Sequence, residues 1–355
     1  MTKYIPFLKA KQNEIKSISE LSSVVRHAIC PFFDFPKKMG GYGKTEFKEA
    51  AQRIMQRLKK NIPEDFTFYF DNFDVEDGLD VDGKHNYVYL LKLLANMRVI
   101  PVVGLDRSSA HNNAVSDFKT SAVLTSDFVA FRVGQDDFEE FDVVQDDIES
   151  ELGPVFGQFE KVDLVLDCRI CTSLDIAATA LKIRKFSRKF CAAYPVRRVI
   201  VTGSSIPASI SEILKVNSEQ MLDRKELKIF SSVKSNHAHA PLIVGDYTTV
   251  SPNYSDVNIP PEMLQNVMTA KLTYTIPGAH YFIRGGGMKV KGAKQYFKMA
   301  ERLCSQPFFR GQSYSSGDAY LEEKSRGQGS NCSPNAVIKP AVIAHISYMV
   351  LNANS

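Results

Sequence analysis

Arg98-Val-Ile-Pro-Val-Val-Gly-Leu-Asp106-Arg107 is an apolar run that stops at an acid–base pair. The same pattern returns in Phe66-Thr-Phe-Tyr-Phe-Asp71, in Val162-Asp-Leu-Val-Leu-Asp167-Cys-Arg169 and in Leu242-Ile-Val-Gly-Asp246-Tyr247. A run with little polar alternation suits a strand covered on both faces, which occurs chiefly in parallel sheets flanked by helices. Charges at the ends of such strands predict a ring of polar groups at one mouth of a barrel.

Working outward, eight apolar runs begin near residues 4, 28, 66, 99, 128, 163, 199 and 242. Helical spacing fills most of the gaps. Ile15, Ile18, Leu21 and Val25 share a face, as do Phe47, Ala51, Ile54 and Leu58, and further helices are expected over 87–94, 115–124, 138–152 and 174–193. Repeated strand–helix units of this number predict an α/β fold, a (β/α)8 TIM-like barrel over residues 1–255. An open doubly wound sheet is the alternative, but no glycine-rich dinucleotide fingerprint follows any strand. After Asp246 the pattern changes. Lys271–Ile276 and His280–Arg284 flank Pro277-Gly278 and read as a hairpin, with helices following near 293–303, 317 and 341–351. Residues 256–355 are therefore expected to form a hairpin-plus-helix extension packed on the barrel.

The chain of 355 residues is 44% hydrophobic and 24% charged, and its net charge of +4 is spread along its length, so neither nucleic acid nor a membrane is indicated. Six cysteines without framework spacing read as reduced thiols, which points to the cytoplasm. No cofactor is identified, and no metal site is read. Cys168-Arg-Ile-Cys171 is a lone pair, His237-Ala-His239 lies in a polar loop, and the acidic loop Asp74–Asp82 lacks a calcium-loop pattern and reads as solvated.

The mouth is expected to collect Asp106, Arg107, Asp167 and Asp246 as catalytic candidates, with Lys9, Lys11, Glu14, Asp34, Asp71, Arg132, Arg169 and Tyr247 around them. Carboxylates converging there could act as general acid and base, and the cations could hold an anionic small-molecule ligand. The plain alternative is a salt-bridge ring. Thr202-Gly-Ser-Ser205 follows the seventh strand, where many barrels bind phosphate, so Ser204 and Ser205 join the ligand-binding candidates. A helix cap at Ser204 or Ser209 is the simpler reading.

Several stretches, in order, resemble the Beta protein family of bacteriophages, phage satellites and bacterial mobile islands. They are Pro6-Phe-Leu-Lys-Ala-Lys11-Gln-Asn-Glu14, Pro31-Phe-Phe-Asp34, Pro101-Val-Val-Gly-Leu-Asp106-Arg107, Leu166-Asp167, Ser204-Ser-Ile-Pro207, Gly245-Asp-Tyr247 and Pro252. Tyr274-Thr275, Arg284-Gly285 and Ser316-Gly317-Asp318 complete them, which adds Arg284 and Asp318 to the ligand-binding candidates. The family usually carries a glutamate where Asp34 stands, and a tryptophan and paired histidines near its end; here only His345 matches. The resemblance implies a barrel-like fold and a setting of phage competition or host defence. Two functions follow as expectations. One is a defence or immunity component that binds a partner protein. The other is a hydrolase or phosphodiesterase acting on a phosphorylated or nucleotide ligand.

Overall fold

A computed structural model describes residues 2–254 and 268–352. The boundary expected at 255–256 lies outside the described residues. The eight apolar runs form a closed, all-parallel barrel. Its strands are β1 (Tyr4–Lys9), β2 (Phe32–Asp34), β3 (Phe68–Asp71), β6 (Val99–Val103), β7 (Phe128–Val133), β8 (Lys161–Ile170), β9 (Val196–Ser204) and β11 (Leu242–Asp246), and β11 pairs back onto β1. The open-sheet alternative is therefore set aside. The second strand is shorter than its apolar run, because Ile29 makes only an isolated bridge to Tyr4 before Phe32 joins the ladder.

The lack of alternation in these runs has a direct cause. Ile5, Phe7, Phe32, Tyr69, Ile100, Val102, Ala130, Val165 and Ile200 fill the barrel interior. Their neighbours Leu8, Phe33, Phe68, Phe70, Val103, Phe131, Leu164, Leu166 and Val201 pack outward under the helices. Inside, Phe7 stacks on Phe32 at 4.4 Å between ring centroids and Phe32 on Tyr69 at 5.1 Å. Gly245 turns inward against this stack, and a Cβ there would meet the Phe7 ring at 2.9 Å and Ile5 O at 3.1 Å. The N-terminal end is plugged by Asp163, which accepts from Tyr69 OH at 2.5 Å, from Arg197 Nε at 2.8 Å and from Arg198 Nε at 3.2 Å.

Outside the barrel, the helix expected over 15–25 breaks into Gln12–Ser19 and Ser23–His27. The acidic helix over 138–152 is Phe141–Asp147 continuing as a π-helical turn, Ile148–Leu152. The acidic loop is not simply solvated, which corrects that reading. It contains a small hairpin, β4 (Asp80–Val81) and β5 (Lys84–His85), and it turns Asp74 into the mouth, where the side chain is 7% exposed. One strand escaped the sequence reading. β10 (Ser218–Asp223) leaves the chain between β9 and β11 and pairs antiparallel with β13 (Ala279–Gly287), whose other neighbour is β12 (Thr269–Ile276). Its burial is poor, so no apolar pattern marks it; the β13 backbone recruits it. The last helix, Ile338–Leu351, packs on helix Gln12–Ser19, on β1 and on β12. Its apolar residues run almost all round because barrel and tail sheet cover it on different sides.

Candidate functional site

The parity that puts Phe7, Phe32, Tyr69, Ala130 and Val165 inside the barrel also turns Lys9, Asp34, Asp71, Arg132 and Asp167 inward two residues later, at the C-terminal ends of their strands. Lys9, Asp34 and Asp71 stand side by side in register across β1, β2 and β3. Arg132 is the hub. Its Nη1 donates to Asp34 and to Asp71, each at 2.8 Å, its Nη2 to Asp167 and Tyr247 OH, each at 2.7 Å, and its Nε to Asp167 at 3.1 Å. Tyr247 OH donates onward to Asp167 at 2.5 Å. Arg107 adds a forked contact to Asp71, at 2.9 and 3.2 Å, and reaches Asp106 at 2.8 Å. Gly104 permits the close approach of β7 to this loop, since a Cβ there would lie 3.1 Å from Arg132 O.

A residue that no motif marked organises the cations. The Phe73 ring, in the loop after β3, meets the guanidinium carbons of Arg169 at 4.3 Å, Arg132 at 4.4 Å and Arg107 at 4.8 Å. Only its aromatic type and its place just after Asp71 could have signalled it. Asp74 pairs with Lys9 at 2.5 Å and lies 3.7 Å from Arg169. Lys9 and Lys11 lie over the Tyr254 ring at 4.9 and 5.2 Å. Glu14 is buried in the first turn of the following helix, and that burial pushes its carboxyl up. Phe73, Arg132, Arg169 and Asp167 line a cavity of about 510 Å³ whose far wall is acidic, made of Asp106, Asp136 and Asp137.

The charges in the mouth are not equivalent. Burial opposes ionisation of Asp71, but Arg107 and Arg132 outweigh it and hold this carboxyl down at about 2. Arg132 and Arg169 likewise overcome burial at Asp167 and lower it. At Asp34 burial wins, and the carboxyl is raised despite Arg132. The network is also incompletely paired. Asp34 Oδ2, Arg169 Nη1, Arg107 Nε and Thr202 Oγ1 are buried without a hydrogen-bond partner. Such groups are uncommon, because an unmet buried donor or acceptor forfeits its hydration. Arg169 also adopts a left-handed backbone at φ 48°, held by its own N–H donating to Asp167 Oδ1 at 2.8 Å. Strained backbone of this kind concentrates at binding and catalytic sites.

Asp246 departs from the expected mouth. It ends β11 at the same end of the barrel, but its side chain points outward, because Gly245 and Tyr247 take the inward positions. It accepts from Tyr4 OH at 2.5 Å, from His345 Nε2 at 2.9 Å and from Thr248 N at 2.7 Å, and it is ion-paired with Arg224. Arg224 continues to Glu226 at 2.9 Å, and Glu226 accepts from Ser205 at 2.6 Å. His345 Nδ1 meets Thr275 Oγ1 at 2.7 Å, and that hydroxyl meets His280 at 3.2 Å. Burial pushes the Asp246 carboxyl up, but His345 and Arg224 outweigh it and hold it well below the usual carboxylate range.

The remaining candidates also separate from the mouth. Ser205 belongs to the outer network. Ser204 donates to Val250 O at 3.2 Å and caps Ile206 N at 3.1 Å. Only a three-residue helical turn, Ile210–Glu212, follows directly, and Ser209 caps it; Ser205 Oγ instead accepts from Lys225 N at 2.8 Å, at the start of helix Lys225–Lys234, so the hydroxyls of Ser204 and Ser205 are both engaged within the protein. Arg284 lies on the tail sheet, donating to Leu214 O, which it reaches at 2.5 Å, and to Thr269 at 3.2 Å. Asp318 is buried in the tail, where its carboxylate accepts from Tyr274 OH and from Ser315 Oγ. All six cysteines are free, and no helix among the described residues is long and apolar enough to cross a membrane.

No curated protein matches the sequence. The family model described as Beta protein matches residues 4–351, which spans the barrel strands, the mouth residues and the tail through its last helix. The chain belongs to the Beta protein family.

Proposed function

We propose that this protein is a binding component of an anti-phage defence system, or of its immunity control, working in the cytoplasm and receiving an anionic group of a partner protein or small ligand at the barrel mouth. The observation that carries the reading is a buried, unpaired guanidinium N–H, Arg169 Nη1, on a side chain that lines the cavity together with Arg132 and Phe73. Planar N–H donors suit carboxylate or phosphate oxygens. The phage and mobile-element setting of the family supports the biological context. Binding is favoured over catalysis because the Asp71 and Asp167 carboxylates are held ionised by guanidinium groups, which weakens them as proton acceptors and leaves little freedom to hold a cation.

The hydrolase or phosphodiesterase reading retains one supporting feature. Asp34 has a raised carboxyl, and its Oδ2 makes no hydrogen bond, only a 3.6 Å ion pair with Lys9. The deciding experiment is Arg169→Ala in a phage-challenge assay. The side chain is 21% exposed and bonds to Asn253 and Pro252, so stability should fall by about 1–3 kcal/mol, checked by urea unfolding, while protection is lost. Full protection by this variant overturns the mouth-binding reading. Loss of protection by Asp34→Asn, together with phosphodiester turnover by the parent protein, supports the enzyme instead.

A further inference from the structure

We propose that Asp77, His85 and His111 form a binding site for one divalent transition-metal ion of the zinc class, in the loops above β3 and β6. One carboxylate oxygen and one nitrogen from each ring lie within 4.8 Å of one another. The residues come from two segments: Asp77 and His85 flank the small hairpin after β3, and His111 sits in the first turn of helix Ser109–Thr120 after β6.

The proton positions follow from the partners. Val102 O can only accept, so His111 Nε2, 2.9 Å away, carries the ring proton. His111 Nδ1 then bears a lone pair, and it is buried with no hydrogen-bond partner on a side chain that is fully buried. A histidine whose second nitrogen is fixed by a backbone carbonyl is the usual form of a metal ligand. The ring cannot turn away, because Tyr87 stacks on it at 4.1 Å. His85 meets it edge-on at 5.4 Å and directs Nε2 to Asp77 Oδ1 at 3.1 Å. Two ligands at zinc's bond lengths of about 2.0–2.1 Å, in a tetrahedron, sit about 3.3 Å apart, so this pair needs little adjustment. The nearest cation, Arg107, is neutralised by Asp71 and Asp106.

The geometry also dictates a change on binding. His85 Nδ1 now accepts from Tyr87 N at 3.2 Å, so the proton of this ring is on Nε2. Coordination through Nε2 moves that proton to Nδ1 and breaks the bond to Tyr87 N. Water completes the coordination, and the ion pins the β4–β5 hairpin to the helix that begins beside Arg107.

The test is equilibrium dialysis of the untagged chain against Zn²⁺, with Asp77→Asn, whose side chain is 39% exposed, and His85→Ala, whose folding is checked by its melting curve because that side chain is 5% exposed; both leave His111 in place. One ion per chain is expected, weakened at least about tenfold in each variant. Co²⁺ in place of Zn²⁺ should show no thiolate charge-transfer band, because the ligand set has no sulfur. The imidazole ¹⁵N spectrum should show the His85 tautomer switch, which a purely structural role would not produce. No uptake, uptake equal in the parent and both variants, or a thiolate band placing the ion at Cys168 and Cys171 overturns the proposal.

Discussion

Two buried ionic networks lie at the same end of the barrel, and they are built differently. The outer one, Tyr4–Asp246–Arg224–Glu226 with His345, is closed: no buried side-chain nitrogen or oxygen of these five residues lacks a partner. The inner one, centred on Arg132, leaves four buried polar atoms around it unmet and borders a cavity. A fully satisfied network joins pieces of structure, and here it fastens the last helix and the tail sheet to β1 and β11. A network with unmet donors has capacity for something else. Both use the same local device. Asp167 accepts from the N–H of Arg169 and Asp246 from that of Thr248, and in each case the third residue has a left-handed backbone, at φ 48° and φ 56°. One aspartate points into the barrel and the other out of it, and that alone separates a candidate site from a clasp.

The largest effect should come from breaking the clasp. Asp246→Ala leaves the fully buried Arg224 with Glu226 alone and strips Tyr4 OH, His345 Nε2 and Thr248 N of their shared acceptor; breaking a buried ion pair by removing one partner costs about 3–5 kcal/mol, read by urea unfolding. Arg132→Met should cost less, about 2–3 kcal/mol, although it removes more bonds. Each carboxylate it leaves keeps another partner: Lys9 for Asp34, Arg107 for Asp71 and Tyr247 for Asp167. If Arg132→Met proves the more damaging of the two, the contrast between clasp and mouth fails.

Acid should strike the clasp next. Burial lowers His345 and His280, and His111 falls to about 3. Between their folded values and the unfolded value of about 6.5, the unfolded chain binds more protons, so stability falls as pH drops below that point. Each histidine contributes a slope of up to about 1.4 kcal/mol per pH unit. His345→Gln should flatten the slope of melting temperature against pH between 6.5 and 4.5, values set about the histidine range. An unchanged slope would mean that His345 is not held neutral.

The smallest effects should appear within the mouth. Asp106→Ala removes a carboxylate whose side chain is 39% exposed and should cost less than about 1 kcal/mol. Arg107→Ala should cost more, about 1–3 kcal/mol, because its fork to Asp71 is buried. Equal costs for the two would show that the Arg107–Asp71 contact contributes little.

Much of the fold is legible in the chain. All eight barrel strands fall on the apolar runs, and the helix over 47–58 and the hairpin at Pro277-Gly278 fall on their patterns. Most charges of the mouth are legible too, because each ends a run. Phe73 and β10 are not. The first is one aromatic in a loop, and the second is held by backbone bonds to β13, which carry no side-chain pattern.

The amino-acid order by itself determined the alternation of strand and helix, the parallel barrel and the end at which the charged residues gather. Only the tertiary structure decided which way each charge faces. A strand buried on both faces shows no period of two, so its inward phase cannot be read from hydrophobicity, and Asp167 and Asp246 look alike in sequence. Closure of the barrel sets that phase, strand by strand, through register with its neighbours, and so sends Asp167 to Arg132 and Asp246 to Arg224 and His345.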